Sequence, residues 1–165
     1  LQEVFLEFFG SFAKIIVFLH IVSATILIGG LFVLRFVIKP ILMTMEDEED
    51  KFQRCLKILD RYAKILLPVM LILISASLMM TIGLGFEYAS PITYTLIHVK
   101  EALWLFIAFN FVYMYWKLLG ARKAYKKYDY FEVKENIILI VNCLVPLNLI
   151  LALIAVFVGV TIRGF

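Results

Sequence analysis

Four long runs of apolar residues dominate the chain, and each is long enough to cross a membrane. They cover roughly 12–34, 65–86, 94–119 and 137–162, and apolar residues trail on from the first run to Met45. A bilayer core of ~30 Å needs ~20 such residues in a helix. No period-2 alternation suggests strands, so helices are the expected form. The pattern predicts an all-α fold: an integral membrane up-down-up-down four-helix bundle, with 1–165 as a single domain. Between the first two runs, Glu46-Asp47-Glu48-Glu49-Asp50 precedes a segment, 51–64, in which Phe52, Cys55, Leu56, Leu59, Tyr62 and Ala63 recur at helical spacing. This predicts an amphipathic helix that runs into the second span, with acidic residues at its N-terminus where the helix dipole favours them. Pro68 falls near the membrane entry. The second connection, 87–93, is short and contains Pro91, and the third, 120–136, is charged and rich in tyrosine.

Composition agrees with the pattern. Apolar residues make up 64% of the chain and charged residues 18%, with mean hydropathy +0.98. A soluble globule of this size cannot hide so much apolar surface, and a disordered chain does not have this composition. The two cysteines carry no partner motif, so no disulfide is expected. The first apolar run is too long for a signal-peptide core, and no small-residue cleavage site follows it.

Charge adds orientation. Seven Lys and Arg lie between Arg35 and Lys64, and six between Lys117 and Lys134. At the other side of the membrane the chain has only Lys14, at the outer end of the first span, and Arg163, after the fourth. The positive-inside rule places both basic segments in the cytoplasm and both termini outside. The basic residues form two loops and no continuous stripe, so no nucleic acid is expected as partner. The expected partner is the lipid bilayer. Small residues in the first span also allow a homodimer.

Ionisable residues inside a span are costly and are functional candidates by default. They are His20 in the first span and His98, Lys100 and Glu101 in the third. Counted from the outer edge, His20 lies ~12 Å deep and His98 ~6–9 Å deep, at 1.5 Å per residue. In an up-down-up-down bundle these spans are diagonal neighbours. Two imidazoles facing each other there would hold a flat cofactor, and haem iron takes axial His ligands. His20 and His98 are therefore the expected metal ligands. Each also has a plainer reading as a histidine hydrogen-bonded to a neighbouring helix. Lys100 is about 200° from His98 on the helix and cannot share its face. It either snorkels to the interface or turns inward. Glu101 is nearer the His98 face, where it would orient the imidazole or pair with Lys100. Ser23 and Ala24 follow His20 on a nearby face, and Gly29 and Gly30 allow close backbone approach. Arg35 and Lys39 mark the end of the first span. Asn110 suggests an interhelical hydrogen bond, and Asn142, Pro146 and Asn148 suggest a kink.

The segment Leu19-His20, with Gly30-Leu31-Phe32 following and Arg35 just beyond, resembles the first span of HemJ-type protoporphyrinogen oxidases. Leu96-Ile97-His98-Val99-Lys100 resembles that family's third-span motif, and Arg122 and Lys123 fit its basic residues after the span. The family's Trp before the first-span glycine, its Pro-Arg pair and its late third-span Tyr-His pair are absent; Leu27, Leu34-Arg35 and Asn110-Phe111 stand in their places. The related CopD-like copper-resistance proteins share a similar first span. The resemblance implies a haem b protein of the bacterial inner membrane, with His20 and Lys100 associated with haem binding and activity. The family's reaction is the six-electron oxidation of protoporphyrinogen IX. The expected function is thus a haem-dependent oxidoreductase acting on a porphyrinogen-like or quinone substrate. His20, His98, Glu101 and Arg35 would surround the cofactor, and Lys100 would take the catalytic role. Two other readings remain open: a copper site in which Met79 and Met80 join the histidines, and a cofactor-free structural subunit.

Overall fold

The computed structural model describes residues 2–83 and 90–162, all helical apart from short turns. The expected end of the second span at 84–86, the start of the second connection at 87–89, and Arg163 lie outside the described residues. Six α-helices follow in order: α1 (Gln2–Val33), α2 (Lys39–Met43), α3 (Glu48–Gly83), α4 (Pro91–Lys126), α5 (Tyr130–Ile138) and α6 (Val145–Ile162). A π-turn, Leu34–Ile38, fuses α1 to α2, and a second, Leu139–Leu144, fuses α5 to α6. The described residues thus make four long continuous helical runs, each apolar enough to cross a membrane. They hold 33 to 37 residues, or ~50–55 Å, well beyond a hydrocarbon core of ~30 Å.

The runs pack as a ring: α1 against α3, α3 against α4, α4 against α6 and α6 against α1. This is the four-helix bundle expected from the sequence, with α1 and α4 on a diagonal. The core is built from Leu27, Leu31, Leu73, Ile107, Val145 and their neighbours. Large apolar side chains such as Phe18, Leu71, Phe109 and Phe157 cover the outside. A surface of this kind suits lipid as solvent.

The amphipathic segment 51–64 is the first part of α3, and Phe52, Cys55, Leu56 and Leu59 are its buried stripe. The helix runs through Pro68 without a break. The third connection is shorter than its composition suggests, because α4 continues to Lys126 and α5 starts at Tyr130. The turn between them is a Schellman-type closure. The Asp129 N–H reaches back to the Ala124 carbonyl at 3.1 Å, with Tyr128 in the left-handed region at φ 60°. Asp129 then caps α5 by accepting from the Glu132 N–H.

Both π-turns stand just before a proline. Pro40 and Pro146 are each the second residue of the helix that follows. A proline has no N–H and crowds the carbonyl four residues back, and a wider turn accommodates this. The stretch where Asn142, Pro146 and Asn148 suggest a kink holds the second of these π-turns and the start of α6.

Candidate functional site

A cleft of about 570 Å³ opens among α1, α3, α4 and α6, within the ~300–1,000 Å³ range usual for ligand pockets. Its polar wall is His20 from α1 and Lys100 and Trp104 from α4. Met80 of α3 and a small-residue wall of Ala24, Gly29, Ala155 and Gly159 complete it. The sequence explains the placement. Ile97, Trp104, Ile107 and Phe111 fix the inward face of α4, and Lys100 lies on that face at helical spacing. His20 falls on the inner side of α1, with Ile16, Ser23 and Leu27 buried around it.

Two nitrogens here lack ordinary partners. His20 Nδ1 and Trp104 Nε1 are both buried and make no hydrogen bond. Neither atom is open to the cleft, and the Leu73 backbone of α3 lies close enough to His20 to bear on its imidazole. Lys100 is near enough to His20 for its charge to act on the imidazole. Its ammonium also lies against Gly159, where an added Cβ would sit 3.7 Å from Nζ. At Gly29 an added Cβ would meet nothing within 4 Å, so this glycine opens onto free space. The exposed residues Ile21, Thr25, Gly29, Val156 and Val160 all lie on α1 and α6. The mouth of the cleft therefore faces sideways between these two helices, toward the apolar flank.

The sequence-predicted residues divide into three places. His20 and Lys100 share the cleft. His98 does not line it, and the two-histidine arrangement is not the one seen. His98 is about half exposed and its ring packs edge-on against Tyr94, with centroids 4.3 Å apart. The physical reason is helical phase: with Lys100 inward, a residue two positions earlier faces away. Glu101 orients His98 rather than His20. Glu101 Oε2 lies 3.2 Å from His98 Nδ1, and Oε1 accepts from Thr81 Oγ1 at 3.1 Å, which ties α4 to α3. Neither Glu101 nor buried Ser23 meets His20 Nδ1. Arg35 does not line the cleft either. It bridges the two π-turns, donating to the Val141 carbonyl at 3.4 Å and to Asn142 Oδ1 at 3.3 Å. Of the two glycines, Gly30 is the one closely approached: the Tyr62 hydroxyl donates to its carbonyl.

Trp104 and Gly159 were not singled out by the sequence reading. Trp104 was legible in principle, four residues after Lys100 and hence on its face. Gly159 had no signal, because one more small residue in an apolar span does not say what it faces. Met80 entered only as a copper candidate. Among the described residues, no three His, Cys, Asp or Glu side chains come together to hold a bare metal ion. In comparisons with protein-family models, curated proteins and solved structures, the chain matches none.

Proposed function

We propose that the chain is a membrane haem b oxidoreductase whose cofactor is held in the His20 cleft. The observation that carries this reading is a cleft of about 570 Å³ within the bundle, lined by the His20 imidazole, the Lys100 ammonium and apolar walls, and large enough for an organic cofactor. The residues present fit such a group. His20 supplies an imidazole ligand, the apolar walls suit a porphyrin face, and Lys100 supplies a positive charge for a propionate or for a substrate carboxylate. When bound, haem supplies one-electron chemistry. His20 would hold the group, the apolar walls would exclude water, and Lys100 would offer a cation to its carboxylates. Donors of matching character are porphyrinogen-like molecules or quinones, which reach the sideways mouth from the lipid. The resemblance to HemJ-type oxidases favours a porphyrinogen.

The bias of basic residues supports a bacterial inner-membrane orientation with the turn at Lys127 in the cytoplasm and both ends of the chain outside.

Purified protein, reduced with dithionite, should show Soret and α-band absorption, and a pyridine haemochromogen assay should report haem b. His20→Ala should lose most of the pigment, whereas His98→Ala should keep it. Lys100→Met should also keep the pigment and lose turnover with carboxylate-bearing donors. Equal haem content in wild type and His20→Ala would overturn the assignment. Stoichiometric copper without iron would instead favour a site built on His20 and Met80, which share the cleft.

A further inference from the structure

A second cavity, of about 370 Å³, lies between the two π-turns and the first part of α3. It shares no lining residue with the His20 cleft. Its walls are sorted by polarity. Leu34, Ile58, Leu59, Ile137 and Val141 form an apolar interior, and Lys39, Lys51, Lys134 and Glu48 form the charged part. These four charges come from three separate helical runs, so the chain folds them together rather than presenting them as one sequence patch. Glu48 is matched by Lys134 at 3.8 Å, which leaves Lys39 and Lys51 in excess. Of the five acids Glu46 to Asp50 only Glu48 lines the cavity; Asp47 accepts from the Asp50 N–H, Asp50 pairs with Arg54, and Glu49 lies against Tyr130.

The π-turns shape this cavity. Each widens its helix just where the wall is formed, and π-turns occur often at functional sites. Arg35 locks one turn to the other through the Val141 carbonyl and Asn142. A cavity with an apolar interior and an excess of lysine at its rim matches one kind of molecule: an anion carrying an apolar tail. Lysine recognises a phosphate as a point charge, without the fixed geometry an arginine fork imposes. Lysines at the basic end of membrane spans meet such headgroups in the adjoining leaflet.

We infer that the cavity between the two π-turns binds an anionic glycerophospholipid, with its phosphate at Lys39 and Lys51 and part of an acyl chain against Leu34, Ile58 and Val141. This does not depend on the function of the His20 cleft.

The test uses the full chain in a neutral detergent, with dioleoyl phosphatidylglycerol or dioleoyl phosphatidylcholine titrated in and bound lipid counted by native mass spectrometry. Phosphatidylglycerol should bind about tenfold or more tightly than phosphatidylcholine, and the paired change Lys39→Gln with Lys51→Gln should remove that preference. Lys57→Gln with Lys126→Gln, which removes two lysines outside this cavity, should leave it intact. Ile138→Trp narrows the cavity with its lysines in place and should weaken phosphatidylglycerol binding several-fold. Thermal melting without added lipid checks that each variant is folded. Equal binding of the two lipids by wild type would overturn the inference. So would an undiminished preference in the paired lysine variant or undiminished binding in Ile138→Trp.

Discussion

Gly30 shows how much one hydrogen atom decides inside a close-packed bundle. A Cβ built there would lie 3.2 Å from Tyr62 Oη and 3.4 Å from Leu66 Cδ2. The same tyrosine donates to the Gly30 carbonyl, so it cannot withdraw without giving up that bond. Gly30→Ala should therefore destabilise the protein by about 1–3 kcal/mol, the usual cost of overpacking. Tyr62→Phe removes the hydroxyl that the new methyl meets. The double variant should then be less destabilised than the sum of the two single changes, as read from thermal melts. Strict additivity would show that Gly30 and Tyr62 do not press on each other. Gly29, next in the chain, should behave differently. Its position opens onto free space inside α1, so Gly29→Ala should escape the overpacking cost and leave the melting temperature unchanged or raised, by up to about 1 kcal/mol of stability.

At the scale of the helices, the Asp60–Arg122 ion pair ties α3 to α4, with Lys64 adding a second contact to Asp60 at 2.9 Å. The Lys64 bond, with Arg122 beside it, holds the Asp60 carboxyl below its ordinary value, against the opposing effect of burial. A carboxylate depressed in the fold contributes stability above its unfolded pKa of ~3.9 and loses it as pH falls through the lower folded value. Wild type should thus lose melting temperature between about pH 5 and pH 3, and Asp60→Asn should lose less over the same window. Parallel curves would mean that the pair contributes nothing. This contact also marks what the sequence could and could not disclose. The buried stripe of 51–64 is legible because Phe52, Cys55, Leu56 and Leu59 repeat at helical spacing. That Asp60 on the same segment meets Arg122, some sixty residues later, depends on how two helices are rotated, and no local pattern records that. The same limit explains His98. Sequence gives its depth and its angle to Lys100, so it says that the two do not share a face; the packing of Ile97 and Trp104 decides which one turns inward. The π-turns were signalled only by Pro40 and Pro146, and a proline alone does not distinguish a break from a wider turn.

For the whole molecule, four membrane-length runs bring both ends of the bundle to one side, and the proposed orientation, drawn from the excess of basic residues, puts that side outside. Two exposed positions at opposite ends of α4 test this: Ile92, in its first turn, and Lys127, just after its last. The native thiols interfere little. Cys55 is buried, and burial pushes its thiol up to about 11, so only ~0.1% or less is reactive thiolate near pH 7–8. Cys143 is exposed and can be replaced by Ser. In a Cys143→Ser background, Ile92→Cys should react with a membrane-impermeant maleimide in intact, right-side-out cells, and Lys127→Cys should react only after the membrane is permeabilised. The opposite pattern would invert the bundle and place the lipid cavity in the outer leaflet. Labelling at both positions in intact cells would mean that α4 does not cross the membrane. The lateral mouth of the His20 cleft would then have no bilayer to open into, so this labelling also tests the route by which an apolar donor is expected to reach Lys100.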